Sequence, residues 1–174
     1  KGTRDILPPE TRLWNEVERT ALRVFEGFGY SEIRLPLLEP TELFVRTVGE
    51  GTDIVSKEMY TFADRKGRSL TLRPEGTAGA VRAYVEHNLH KTAPVQRWWY
   101  FGPMFRAERP QADRYRQFYQ IGAEFFGVGS PMADAELLLM LWRWCEELGL
   151  EIQVNLNTVG DDDSRRAYRE LLQA

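Results

Sequence analysis

The stretch Arg114-Tyr115-Arg116-Gln117-Phe118-Tyr119-Gln120-Ile121-Gly122-Ala123-Glu124 concentrates side chains that can do chemistry. At a strand's period of two, Phe118, Gln120, Gly122 and Glu124 share one face, so an aromatic plate, an amide and a carboxylate line up along it. The preceding stretch, Gly102-Pro103-Met104-Phe105-Arg106-Ala107-Glu108-Arg109-Pro110, sets Arg106 opposite that face. Four arginines around one turn, Arg106, Arg109, Arg114 and Arg116, with Tyr115, Phe118 and Tyr119 among them, suit a phosphate and an aromatic base. Guanidinium forks match phosphate oxygens, and rings stack. The alternative is an exposed hairpin whose arginines are solvated and paired with Glu108 and Asp113. A third segment, Leu72-Arg73-Pro74-Glu75-Gly76-Thr77, leads from a strand to a helix entrance, where Glu75 and Thr77 lie beside free backbone N–H groups. A carboxylate there can hold an ammonium, or it can simply cap the helix.

The whole chain bounds these readings. Its 174 residues carry a net charge of −3, with 43% hydrophobic and 28% charged side chains. That composition is globular and excludes a disordered tail, a fibre, a membrane protein and a generic polycation. No stretch approaches the roughly 20 apolar residues that span a bilayer. The charge is uneven: 91–120 carries +4, whereas 131–163, with the run Asp161 to Asp163, carries −7. A near-neutral total therefore hides a basic hairpin. One cysteine, Cys145, and two histidines, His87 and His90, leave no set of ligands for zinc, and no metal-ligating residue is assigned. A reducing, cytoplasmic setting fits best. A compact monomer of 20.2 kDa should expose ~8,800 Å² against ~29,000 Å² unfolded, so one core is the expectation. The chain begins at Lys1 and stops at Ala174 inside a helix that has hardly begun, which reads as a fragment.

The elements that must position the site follow from pattern. Pro8 and Pro9 open a helix to Phe28, and 31–38 alternates enough to read as a strand with Pro36 at an edge or bulge. Thr41 is placed to cap a short helix over 42–48. A hairpin joins 59–63 to 69–73, a helix covers 75–89, and the strands 97–106 and 116–126 form a long hairpin with a charged tip. A helix over 131–149, a strand over 151–157 and a helix from Asp161 complete the chain. Trp98, Trp99 and Tyr100 read as packing residues. The fold class is α+β, an antiparallel sheet with flanking helices in one domain.

On these residues the chain resembles the first part of the catalytic domain of histidyl-tRNA synthetases, class II aminoacyl-tRNA synthetases, of bacterial type. Residues 28–50 resemble the class's motif 1, which builds a dimer interface. Residues 102–124 resemble motif 2, with its Phe-Arg-x-Glu signature at Phe105, Arg106, Ala107 and Glu108. The Arg73-Pro74-Glu75-Gly76-Thr77 turn and the segment from Phe105 to Gln111 are more particular to the histidyl family. The resemblance runs from Gly2 to the C-terminus and implies a truncated class II catalytic domain over 1–174.

The roles it implies are specific. Arg106 binds the α-phosphate of ATP and the reacting carboxylate; Glu108 and Phe118 hold the adenine; Arg114 meets the terminal phosphates. Glu75, Thr77 and Gln120 take the α-ammonium of histidine, and Glu124 the imidazole. Arg109, Arg114 and Arg116 touch the acceptor stem of the tRNA, chiefly at phosphates. The implied reaction activates histidine with ATP and Mg2+ to histidyl-adenylate and transfers it to tRNA(His), in a cytoplasmic homodimer. The alternative within the same resemblance is the catalytically silent relative that regulates ATP phosphoribosyltransferase. Family members are much longer, with a third motif, a histidine-specific segment and an anticodon-binding domain beyond these residues, so the segment alone is expected to be inert. Position 119 is Tyr where the family often has His; it should point to the sheet face away from the pocket.

Overall fold

A computed structural model describes residues 2–49, 52, 54–108, 114–157 and 160–173. Helix α1 (Glu10–Gly27) buries Thr20, Ala21, Val24 and Phe25, a stripe that recurs at helical spacing and faces the core. The stretch expected to run as one strand after it divides instead. Its ends form β1 (Ser31–Glu32) and β2 (Leu38–Pro40), which belong to two different three-stranded sheets. Pro36, which has no N–H for a ladder, lies in the break between them. Helix α2 (Thr41–Val48) follows directly on β2, and Thr41 does not cap it. Its hydroxyl lies 2.7 Å from that of Ser69 and 2.9 Å from that of Thr71 across the smaller sheet.

A five-residue π-helical turn at Ile54–Glu58, not expected from pattern, leads into the hairpin β3 (Tyr60–Ala63) and β4 (Ser69–Leu72). Asp64 closes that hairpin by accepting the backbone N–H groups of Lys66 and Arg68. The smaller sheet has the order β2-β4-β3 and is antiparallel throughout. The helix expected over 75–89 is two pieces, α3 (Thr77–Glu86) and α4 (Leu89–Thr92), broken at Asn88 in the left-handed region with φ 55°.

The larger sheet is dominated by β5 (Gln96–Phe105) and β6 (Gln117–Phe126), paired antiparallel over their whole length; β1 lies parallel to β5 on its other side. The register aligns Trp98 with Glu124, Tyr100 with Gly122, Gly102 with Gln120 and Met104 with Phe118. That face packs on α3 through Ala80, Tyr100 and Met104. The opposite face, with Trp99, packs on Ala21, Val24, Phe25 and Met140. Met140 belongs to α5 (Pro131–Glu147), which Ser130 caps by accepting the Met132 N–H, with proline in the first turn. Residues 151–157 join neither sheet of the described residues, contrary to the expected strand. An extended segment needs a ladder partner to become one. Helix α6 (Asp162–Gln173) starts on Asp161, whose Oδ1 accepts the Ser164 N–H, and all of its side chains that the structure describes are exposed.

The chain exposes 12411 Å², well above the ~8,800 Å² expected of a compact monomer of this mass. The excess reflects elements spread around one hairpin, with Met132, Leu139 and Leu156 each more than half exposed. No described helix is long and apolar enough to cross a membrane.

Candidate functional site

The face of β5 and β6 that meets α3 gathers most of the candidate residues. Glu124 lies at its inner end. Its Oε1 accepts hydrogen bonds from Thr77 Oγ1 at 2.8 Å and from the Tyr100 hydroxyl at 3.2 Å. Burial, with the neighbouring negative charge of Glu75 adding to it, raises the Glu124 carboxyl above the ordinary carboxylate range, although the two hydroxyl donors pull the other way. Burial likewise pushes the Tyr100 hydroxyl well above the usual phenol range, so it stays a donor.

Tyr100 was read from sequence as packing alone, and it does pack, being 2% exposed. It also belongs to the site. Gly76 and Gly122 leave it the room: a Cβ at either position would run into its ring. The signal available in the sequence was that pair of glycines, one at the turn before α3 and one on β6. Trp99 remains a core residue, 4% exposed on the other face.

Glu75 caps α3, its carboxylate accepting the N–H of Thr77 at 2.5 Å and of Ala78 at 2.9 Å. A carboxylate has about four lone-pair sites, so capping leaves it able to accept from a cation as well. Gln120 lies one pair of residues along β6 from Gly122, and its Oε1 is a buried acceptor with no hydrogen-bond partner among the described residues. Buried carbonyl oxygens are rarely left so. Glu75, Thr77 and Glu124 are thus brought together, and Gln120 lies further along β6 at a position that shares their sheet face.

The other end is cationic. Arg106 follows β5, donates from Nε to the Pro74 carbonyl at 3.0 Å, and lays its guanidinium 5.1 Å from the centre of the Phe118 ring. The remaining N–H groups of the guanidinium make no hydrogen bond among the described residues. Glu108 meets Arg114 at 3.2 Å, a pair in which the arginine side chain is 66% exposed. Arg116 donates from Nε to the Glu108 carbonyl. Arg114 is therefore paired with Glu108 as the alternative reading of that hairpin had it, whereas Arg116 bonds to backbone, and Asp113 lies outside the described residues. Arg109 lies outside the described residues. Arg97, one of the positive charges of 91–120, pairs at 2.9 Å with Glu136 of the acidic stretch and lies over Phe125. Tyr119 points to the opposite face, where it stacks on Phe101 and meets Trp14 edge-on.

Arg73 holds these two ends together, a role for which its place in the Arg73-Pro74-Glu75-Gly76-Thr77 turn is no signal. It is 4% exposed, donates to the carbonyls of Leu35 and Pro103, each at 3.0 Å, and makes no ion pair among the described residues. Its own backbone accepts the Phe105 N–H and donates to Leu37. One buried guanidinium therefore ties the two sheets behind the site, and Gly102 stays bare because a Cβ would collide with it. No three carboxylate, imidazole or thiol groups converge on a metal position among the described residues.

The chain is similar to known proteins over almost its whole length. A family model for histidyl-tRNA synthetase covers residues 2–160. A histidine–tRNA ligase of Desulforapulum autotrophicum is 54% identical over 173 residues, which is 99% of this chain and 41% of that protein. The apo histidyl-tRNA synthetase of S. aureus superposes with a TM-score of 0.80 at 40% identity, over 99% of this chain and 40% of the other. A Bacillus halodurans protein described as an ATP phosphoribosyltransferase regulatory subunit/histidyl-tRNA synthetase gives 0.73 at 27% identity, over 86% and 38%. The chain thus spans about two fifths of the length of these relatives. A family model matched over most of the chain, with an alignment and a backbone superposition that each cover nearly all of it, makes the chain a member of the histidyl-tRNA synthetase family.

Proposed function

We propose that the protein activates histidine with ATP and transfers it to tRNA(His), and that this segment supplies the histidine pocket and one side of the ATP site. The observation that carries the reading is the polarity of one sheet face. Unsatisfied or shareable acceptors at Gln120, Glu75 and Glu124 stand at one end, and the Arg106 guanidinium over Phe118 stands at the other. Along β6 the span from Phe118 to Glu124 is roughly 20 Å, room for an amino acid joined end to end with a nucleotide.

In this reading Glu124 accepts from the histidine imidazole, while Gln120, Thr77 and Glu75 surround the α-ammonium. The histidine carboxylate attacks the α-phosphorus of ATP, a carboxylate oxygen–phosphorus bond forms, and pyrophosphate leaves. Arg106 neutralises charge on both reacting groups, Phe118 and Glu108 hold the adenine, and Arg114 meets the terminal phosphates. The tRNA's terminal ribose hydroxyl then attacks the acyl carbon and AMP departs. Arg109, Arg114 and Arg116 face the acceptor stem. Magnesium would enter with the triphosphate, and this chain's described residues supply no cluster of ligands for it. A second copy pairs through 28–50, where Leu37 and Leu38 are exposed.

The silent regulatory role has support of its own in the Bacillus halodurans relative. Arg106, Glu108, Arg114 and Phe118, which a histidine sensor has no need to keep, favour the enzyme. Histidine-dependent exchange of labelled pyrophosphate into ATP by the full-length protein tests the choice. Exchange with histidine and not with proline is expected. No exchange with histidine, or equal exchange with proline, overturns the assignment.

A further inference from the structure

The root of the loop that carries Glu108 and Arg114 is not held by the sheet alone. Arg106 N–H donates to the Arg116 carbonyl at 2.9 Å, a cross-strand bond just past the paired strands β5 and β6. Beyond it, the N–H groups of Arg116 and Gln117 both donate to the carbonyl of Gly2, at 2.6 and 3.2 Å. The N-terminal residues thus cross the start of β6 and hold it from outside. Gly2 can do so only without a side chain: its φ is +94°, and a Cβ would lie 2.7 Å from Arg116 Cγ. Under that crossing the Arg116 side chain reaches back to the Glu108 carbonyl.

Arg4 moors the crossing at a second point. Its guanidinium lies 5.4 Å from the centre of the Tyr115 ring and forms an ion pair with Glu10 of α1, which also accepts from Trp14 Nε1. Beneath it, on the sheet face to which Tyr119 points, is a cavity of about 240 Å³ lined by Arg4, Ile6, Trp14, Tyr115, Gln117, Phe118 and Tyr119. Core side chains therefore do not fill the space behind the loop root, and the polar contacts of residues 2–4 do the holding. Phe118, which lines that cavity, is the ring under Arg106.

We propose that residues 2–4 form a strap that positions the nucleotide end of the site, with Gly2 and Arg4 as positioning residues for Glu108, Phe118 and Arg106. The proposal rests on the reading given under Proposed function. Small displacements of groups that bind a reacting molecule cost large factors in rate or affinity, so loosening the strap should be read selectively in ATP.

Gly2→Ala and Arg4→Ala in the full-length protein test it by pyrophosphate exchange. The expected result is an ATP KM raised about tenfold with the histidine KM changed less than about twofold. Arg4→Lys, which keeps the charge for Glu10 but not the flat group over Tyr115, should fall between. Hydrogen–deuterium exchange of the Arg116 and Gln117 amides should quicken in both alanine variants while the amides of 119–125 stay protected. If Gly2→Ala does not fold, Arg4→Ala carries the test. An unchanged ATP KM, an equal rise in both KM values, or unchanged amide protection overturns the strap. A wild-type protein with no histidine-dependent exchange overturns the proposed function instead.

Discussion

The acceptor end of the proposed pocket and its arginine end are built from different kinds of structure. Around Glu124 the groups sit on β5, β6 and the entrance to α3, and all but Gln120 are bonded to another: Thr77 and Tyr100 to Glu124, Glu75 to the helix it caps. Around Glu108 they sit on a loop, with Arg114 mostly exposed and its partner reachable by solvent. One end is set before any ligand arrives. The other has charges whose present partners are weak enough to exchange for phosphate, since exposed ion pairs contribute little to stability. Shape selection of a small amino acid and electrostatic capture of a flexible triphosphate ask for this division.

Three substitutions break or sharpen the contrast, each measured on the full-length protein. Arg106→Ala should have the largest effect, lowering adenylate formation by about a thousandfold or more with the fold retained, because it removes the charge that meets both reacting groups. Circular dichroism and pyrophosphate exchange check it, and an unfolded variant would move Arg106 from chemistry to packing.

Glu124→Gln should raise the histidine KM by roughly tenfold and leave the ATP KM within about twofold. It should also raise the unfolding midpoint at neutral pH. The carboxyl is raised in the folded state chiefly by burial, so its stabilising contribution is present below 4.5 and is lost as pH rises through the folded value. Glutamine has no such loss, and the two proteins should converge in acid. Histidine binding by the wild type should weaken as pH falls through the same raised value. Equal midpoints at every pH would place Glu124 in an environment like water.

Arg114→Ala should be mildest, raising the ATP KM severalfold and moving the unfolding midpoint by less than about 2 °C. A larger thermal shift would mean that the loop is as firmly built as the strands.

Much of this was legible because a strand's period of two needs no tertiary information. Phe118, Gln120 and Glu124 had to share a face once β6 was recognised, and the two-sided division between Tyr119 and its neighbours followed. Tyr100 was harder: its place opposite Gly122 depends on the register of two strands, which the sequence does not display. Arg73 was hidden for another reason, since its partners are backbone carbonyls of Leu35 and Pro103, common to every residue type. The single strand expected at 31–38 failed because alternation reports a half-buried extended chain and not which sheet it joins. The segment 151–157 shows the same weakness from the other side, where pattern suggested a strand and no described neighbour pairs with it. Thr41 has the chemistry of a cap, but hydroxyls on β4 compete for its oxygen.

Arg73 also has a meaning for ionic strength. Its guanidinium is a permanent charge shielded from solvent, and Glu39, whose field acts on it, is committed to Arg82. Mobile ions shorten the reach of surface arginines such as Arg114 to about 8 Å at physiological salt, but they cannot enter the space between the sheets to surround a charge there. As salt rises, the loop's pull on an anion fades while the interior's persists, so the molecule carries one adjustable and one fixed source of positive potential.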